Sequence, residues 1–318
     1  FTEDELNEKT AQVYKDADII SPFVHSELDR SILAQFEQLK FIATRSTGFD
    51  HIDLDYCNEN AIPVSNVPVY GDHTVAEHVF ALLLAISHNI PESINRTRRG
   101  DFSQKGLRGF DLKDKTLGVV GTGNIGKRVV EIAQGFRMRV LAYDTRPDMV
   151  FAEHYDMSYV DMNTLLEQSD CITLHVPESQ YTHHLLSEEE FSRMKDGVVL
   201  INTARGSIVD VKALLRALAD GKVAAAGLDV LPDEPAIGEE AEMLRSFFSK
   251  KYDLETLLAD HVLLRMRNVI ITPHTAFNST EAVERILHTT GENIKHFVNG
   301  EQQNIVNSTQ MVQSKATQ

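Results

Sequence analysis

The chain has 318 residues, 42% of them hydrophobic and 25% charged, with a formal net charge of −16. At roughly 150 residues per domain, this length predicts two domains with ample material for a core. So much negative charge repels phosphate backbones and anionic headgroups, which argues against nucleic acid or a membrane surface as partner. The two cysteines, Cys57 and Cys171, lie far apart in the sequence. They build neither a disulfide framework nor a metal site, and such usage suits a reducing cytoplasm. The longest apolar run, residues 79–87, is too short to span a bilayer. No secretory leader is recognisable, and the absence of an initiator Met before Phe1 leads us to expect a segment upstream.

From the start to about residue 69, short apolar strands at residues 19–20, 41–43 and 63–64 alternate with polar helical segments, as in βα units. One long helix is expected over residues 74–99, opened by Thr74 with Glu77 three places on, a capping-box pattern. Apolar runs at residues 116–120, 139–143, 171–175, 198–203 and 224–229 follow, separated by helical segments. Runs of this length without clean alternation suit parallel strands buried on both faces. Their repetition with helices predicts a doubly wound α/β sheet. A further strand is expected at residues 268–272, then one helix over 279–299 and a polar, frayed tail from Asn307.

The strongest local signal is Gly121-Thr-Gly123-Asn-Ile-Gly126, which follows the run at 116–120 and opens a helical segment. In that context each glycine has a mechanical role: the first makes the tight turn, the second admits a pyrophosphate, and the third lets helix pack on strand. The helix N-terminus would offer amide donors and a positive dipole end to the phosphates. Asp144 ends the next apolar run, eighteen residues after Gly126. An acid there accepts hydrogen bonds from an adenosine ribose and repels a 2′-phosphate, favouring NAD over NADP, although nearby Arg146 could accommodate that phosphate.

Three later run ends carry reactive side chains: Arg205 in Ile-Asn-Thr-Ala-Arg-Gly, Asp229 with Glu234 in Gly-Leu-Asp-Val-Leu-Pro-Asp-Glu-Pro, and His274 in Thr-Pro-His-Thr-Ala-Phe. A guanidinium fork holds a carboxylate bidentately and polarises a neighbouring carbonyl. A histidine supplies the proton that the carbonyl oxygen needs as hydride reaches carbon, and a carboxylate beside it keeps the ring protonated and oriented. The set suits reduction of a 2-keto acid. Asp229 has a rival role, lining a nicotinamide pocket.

Taken together, the blocks Arg45-Ser-Thr-Gly-Phe-Asp-His-Ile-Asp53, Val67-Pro-Val-Tyr70, Val75-Ala-Glu-His78, the glycine fingerprint, Leu174-His-Val-Pro177, Asn202-Thr-Ala-Arg-Gly206, Gly227-Leu-Asp-Val230, Glu234-Pro235 and Thr272-Pro-His-Thr-Ala-Phe277 resemble the D-isomer-specific 2-hydroxyacid dehydrogenases, most closely their D-lactate dehydrogenase branch. The resemblance implies Arg205, Glu234 and His274 as catalytic trio, with His274 as proton donor. It implies NAD contacts from Gly121, Gly123, Asn124, Ile125, Gly126, Asp144, Val176, Pro177, Thr203, Ala204 and Asp229. It gives the substrate carboxylate the backbone amides of Thr47 and Gly48, and sets the rings of Tyr70 and Phe277 around a small 2-keto or 2-hydroxy acid, pyruvate or D-lactate above all. His175 stands outside this set.

The architecture implied is two Rossmann-like, doubly wound parallel-sheet domains with a cleft between them. Residues 1–73 with 276–318 would form the substrate domain, lacking one N-terminal βα unit usual in the family, and residues 74–275 the NAD-binding domain. A homodimer through the helix at 74–99 is expected, although core packing explains its apolar run 80–85 equally well. The segment 238–267 is an insertion read as a solvated surface helix pair. Two other readings stay open: a non-catalytic NAD(H)-sensing protein of corepressor type, and a related dehydrogenase for glyoxylate, hydroxypyruvate or phosphite.

Overall fold

A computed structural model describes residues 6–23, 26–232 and 254–307. The chain divides into two units, Phe1–Gly71 with Asn278–Gln318, and Asp72–Phe277.

In the first unit three short parallel strands, β1 (Ile19–Ile20), β2 (Phe41–Ala43) and β3 (Val64–Ser65), pair in sequence order. Helix α1 (Glu8–Val13) precedes them and α2 (Arg30–Leu33) and α3 (Leu54–Glu59) connect them, each opened by an Asn or Asp side chain that accepts the first free amides. Ile20, Leu33, Ile42, Cys57 and Val64 form the core of this layer. A helix over Thr280–Val298 closes the unit: its Phe297 ring stacks on Phe41 of β2, with centroids 4.3 Å apart. Asn307 then fixes the segment behind that helix. Its Oδ1 accepts from the Val64 amide at 2.8 Å and its Nδ2 donates to the Ile62 carbonyl at 2.9 Å. One amide side chain thus satisfies an edge-strand donor and a loop acceptor that would otherwise be buried without partners.

The second unit is built on seven parallel strands: β4 (Thr116–Val120), β5 (Arg139–Tyr143), β6 (Ser158–Tyr159), β7 (Cys171–Leu174), β8 (Val198–Asn202), β9 (Val223–Leu228) and β10 (Val269–Ile271). Their order is β10-β9-β8-β7-β4-β5-β6. Counted from β4 this is 7-6-5-4-1-2-3, the doubly wound dinucleotide-binding order extended by one strand. Strands β4, β7 and β8 are buried along their whole length, which is why they read as unbroken apolar runs. On one face, α4 (Asp72–Ser87) and α6 (Asn124–Gly135) bury Val79, Phe80, Leu83, Val129 and Ala133. The other face carries α8 (Met162–Gln168), α9 (Glu188–Arg193) and α10 (Val211–Ala219), with Leu165, Phe191 and Leu214 buried. The crossover after β5 is α7 (Met149–His154).

The helix expected over 74–99 is in fact two, α4 and α5 (Ile90–Arg98), and it begins at Asp72, which puts Thr74 inside the first turn rather than at a cap. The break has a local cause. Pro91 has no amide hydrogen to return to the Ser87 carbonyl, and that carbonyl instead accepts from the Phe110 amide at 3.0 Å. Gly109 makes the approach possible, since a Cβ there would lie 1.8 Å from the Ser87 oxygen. Asn89 turns the chain in the left-handed region at φ 51°. The run 80–85 packs on the sheet of its own unit, with Phe80, Leu82 and Leu83 buried.

Of the expected insertion, residues 238–253 lie outside the described residues. The remainder forms α11 (Leu254–Leu263), whose Ala259 and Leu263 join the core beside Leu214 and Leu218. The closing helix of the first unit is α12 (Thr280–Val298), capped by the Ser279 hydroxyl on the Ala282 amide. Among the described residues, no helix is long and apolar enough to cross a membrane.

The packing of α11 is open to a paired test. Leu263 is fully buried whereas Val262 is 40% exposed. Leu263→Ala should therefore cost about 2–5 kcal/mol through lost contacts and a residual cavity, and Val262→Ala roughly 0.5 kcal/mol or less. Urea unfolding followed by circular dichroism compares the two, and equal effects would refute the packing of α11 on the core.

Candidate functional site

In parallel strands every C-terminal end falls at one edge of the sheet, and ligands of doubly wound sheets bind there, at the point where the strand order reverses. In the second unit that point lies between β4 and β7. The loop Gly121–Gly123 leaves β4 there, and His175, Val176 and Pro177 leave β7 beside it. A Cβ on Gly121, at φ 93°, would lie 2.7 Å from the His175 carbonyl oxygen. One on Gly126 would lie 2.0 Å from the Gly121 carbonyl oxygen. Both glycines are thus required by backbone behind them. Around Gly123, by contrast, a Cβ would meet nothing within 4 Å.

Gly123 is also the N-cap of α6, with no side chain to cap it. The first amides of α6 are therefore left without a side-chain cap, as donors that a pyrophosphate would satisfy. Asn124 is exposed and Ile125 half-buried at this end of the helix. The Thr203 hydroxyl, past β8, is buried without a hydrogen-bond partner among the described residues. It is a polar atom still to be satisfied at the same edge. Ala204 beside it packs on the core. These features fit a bound dinucleotide.

Asp144, immediately after β5, is anchored on both oxygens. Oδ2 accepts from the Thr122 amide at 2.6 Å and the Thr122 hydroxyl at 2.9 Å, and Oδ1 from the Arg146 amide at 2.8 Å. Burial alone would raise its pKa, but hydrogen bonds from Arg146 and Thr122 outweigh that and hold it below the usual carboxylate range. The Tyr159 hydroxyl completes the chain through Thr122 at 2.8 Å. The sequence pointed to Asp144. Thr122 and Tyr159 escaped it because their contacts join residues far apart in the chain.

The second half of the edge is set by strand register. Asn202, Leu228 and Ile271 are aligned across β8, β9 and β10. The loops that carry Arg205, Asp229 and His274 therefore start level with one another. Asp229 is 1% exposed. Its Oδ1 accepts from the Thr272 hydroxyl and the Thr275 amide, and its Oδ2 from the Ala276 amide at 2.8 Å. Its backbone carbonyl takes the His274 amide at 3.0 Å. This clamp holds His274 in the left-handed region, at φ 50°, a conformation that costs a side chain about 1–2 kcal/mol. His78 of α4 reaches the same cluster, its Nε2 3.0 Å from the Thr272 hydroxyl and 3.5 Å from Asp229 Oδ1. Sequence reading used His78 only as part of a motif and gave it no task.

Arg205 leaves β8 through a turn fixed by Asn202, whose Nδ2 donates to the Arg205 carbonyl and whose Oδ1 accepts from the Ala204 amide. Its own Nη1 donates to the Ala204 carbonyl at 2.8 Å. A Cβ on the next residue, Gly206, would lie 2.2 Å from the Leu231 carbonyl carbon, so this turn sits directly against the chain that leaves β9. Glu234, three residues further along, lies outside the described residues. Phe277 is half-buried at the end of the second unit.

Thr47, Gly48 and Tyr70 belong to the first unit. The loop after β2 is held by Ser46, whose hydroxyl donates to the Gly48 carbonyl at 2.6 Å, and by Asn66, whose Nδ2 donates to the Thr47 carbonyl at 2.8 Å. Among the described residues the amides of Thr47 and Gly48 donate to no protein acceptor. Tyr70 is half-buried, its carbonyl accepting from Arg285 Nε at 2.6 Å.

The family model described as D-isomer specific 2-hydroxyacid dehydrogenase, NAD binding domain, matches residues 80–276. The chain is 36% identical to the D-lactate dehydrogenase of Escherichia coli over 93% of its own length and 88% of that protein's. To a glyoxylate reductase of Thermococcus litoralis it is 33% identical over 94% and 86% of the two chains. The crystal structure of D-lactate dehydrogenase from Aquifex aeolicus, complexed with NAD and lactic acid, superposes with a TM-score of 0.81 at 41% identity. That match covers 92% of this chain and 86% of that one.

Burial pushes His175 down to about 3 from 6.5, and its Nε2 lies 2.9 Å from the Thr173 hydroxyl. A base whose folded pKa is depressed contributes stability that is complete above about pH 6.5 and is lost as pH falls toward 3. His175→Gln should therefore flatten the fall in urea midpoint between about pH 6.5 and 4. An unchanged slope would refute the buried neutral state.

Proposed function

We infer that this chain, which belongs to the D-isomer specific 2-hydroxyacid dehydrogenases and is an NAD-dependent dehydrogenase, interconverts pyruvate and D-lactate. Arg205, Glu234 and His274 are its catalytic residues in this reading. The supporting observation is the shared register of β8, β9 and β10, with Asp229 clamping the His274 turn at the edge where Arg205 leaves β8.

Bound NADH supplies the hydride. The Arg205 guanidinium takes the substrate carboxylate and polarises the adjacent carbonyl, a geometry that needs its planar fork. His274 delivers the proton that the carbonyl oxygen requires as the C–H bond forms, so the 2-keto acid gains one hydride and one proton and leaves as the 2-hydroxy acid. Glu234 is the carboxylate that this reading assigns as partner to that histidine. The family resemblance assigns the Thr47 and Gly48 amides to the substrate carboxylate and the Tyr70 and Phe277 rings to a compact apolar tail. On the cofactor side, the amides of α6 at Asn124 and Ile125 take the pyrophosphate and Asp144 the ribose. Val176, Pro177, Thr203, Ala204 and Asp229 line the path to the nicotinamide.

Cytoplasmic residence accords with Cys57 and Cys171, both buried free thiols. A homodimer accords with Ile90 and Ile94, exposed at 44% and 43% one turn apart on α5. The likeness to a glyoxylate reductase keeps glyoxylate as the second substrate to try.

Loss of nicotinamide absorbance with pyruvate, glyoxylate, hydroxypyruvate and 2-ketobutyrate tests the substrate directly. Pyruvate should give the highest kcat/KM, and preference for glyoxylate would overturn the assignment. His274→Ala should slow reduction about 10²–10⁴-fold, an expectation that an unchanged kcat contradicts. Arg205→Lys should raise KM and lower kcat together, because a point charge does not replace the fork; retained pyruvate kinetics would contradict it.

A further inference from the structure

The opposite edge of the same sheet holds a second polar site. A cavity of about 620 Å³ opens at the N-terminal ends of the strands, lined by Lys115, Asp170, Gly197 and Asn268, which directly precede β4, β7, β8 and β10. Because the strands are parallel, this edge lies across the full sheet from the glycine loop, Arg205 and His274. Among the described residues five cations line it: Arg96, Arg108, Lys115, Lys195 and Arg267. Three acids also line it, and each already has a cation. Glu92 meets Arg96 at 2.8 Å, Asp170 meets Lys195 at 3.0 Å, and Asp196 meets Lys222 at 2.9 Å. Among the described residues, Arg108, Lys115 and Arg267 have no carboxylate within 4.0 Å.

Three cations without an ion-pair partner at contact distance, gathered around one cavity, are unexpected in a protein of net charge −16, and an acid that acts on them, Asp170 on Lys115, is already paired with Lys195. Their mutual repulsion is relieved by an anion, and the low-dielectric walls concentrate their field inside. The wall that carries Arg108 is fixed. Arg96 Nη1 donates to the Lys105 carbonyl at 2.6 Å, Asn89 Nδ2 to the Leu107 and Arg108 carbonyls at 3.4 Å, and the Phe110 amide to Ser87. Ile86, Phe110 and Ile270 add apolar surface between the charges. The volume falls in the range of sites for small organic ligands, far above that of one inorganic ion.

We propose that this cavity binds a small organic polyanion, a carbon frame bearing two or more carboxylate or phosphate groups, held by Arg108, Lys115 and Arg267. The site is separate from the reaction edge and does not depend on which 2-keto acid is reduced. Carboxylate and phosphate share the chemistry that the three cations recognise, so both are tried.

The test is isothermal titration of the NADH-saturated protein, which keeps the glycine loop filled, with tricarballylate in one arm and inorganic pyrophosphate in the other. At least one probe should bind saturably, one per chain, and more weakly as salt is raised. The double variant R108Q/R267Q should weaken that binding about tenfold or more while leaving NADH affinity and pyruvate KM unchanged. Both side chains are exposed, and K115Q, made separately, should weaken binding in the same direction. Failure of both probes to saturate at millimolar concentration would overturn the proposal. So would equal affinity in the parent protein and both variants, since binding would then lie elsewhere, Arg205 included.

Discussion

A carboxylate removed from water has to be met by donors, and Asp229 is met by a hydroxyl and two amides from the loop that follows the neighbouring strand. A buried charge left without them costs far more than the bonds return when formed, so the loop after β10 has little freedom to move away from the end of β9. That constraint places His274. It also explains how a non-glycine residue is kept in a left-handed backbone conformation: the cost of the conformation is smaller than the cost of releasing the carboxylate. His78, arriving from a helix nearly two hundred residues earlier, adds a third element to the same knot.

The second fixed group of this edge, Asp144, works on the same physical basis with a different result. Its donors come from the glycine loop itself, so the residue that ends β5 also shapes the turn after β4. A change at Thr122 or Tyr159 would therefore reach the loop through the carboxylate. Parallel strands gather both clusters at one end of the sheet, and the other end is left to a different charge pattern. There lysine and arginine outnumber their acids, whereas the reaction edge is organised around two carboxylates already supplied with donors.

Much of this could be read in the amino-acid order, for identifiable reasons. Strands buried on both faces must be apolar throughout, so β4, β7 and β8 stand out as short uninterrupted runs bounded by polar helices. The glycine loop is legible because backbone crowding at Gly121 and Gly126 excludes every other residue type. The start of α12 is marked by a capping Ser279. What stayed hidden depends on partners distant in the chain. The break between α4 and α5 needs Phe110 to claim the Ser87 carbonyl. The two-residue β6 is too brief to show a period. Leu263 reads as one more apolar residue in a charged insertion until α10 is beside it.

The Asn307 side chain joins residues 243 positions away, and Asn293 joins Asn66 across 227. The second unit, by contrast, is one uninterrupted stretch. On the ribosome the chain therefore emerges in an order that does not match its architecture. The strands β1 to β3 are synthesised first and must wait, through the whole of the seven-stranded unit, for α12 and Asn307 to arrive. Long-range closure of this kind slows folding, and it leaves an early sheet edge exposed while the middle of the chain folds. The stretch made after the second unit is thus the one that completes the first.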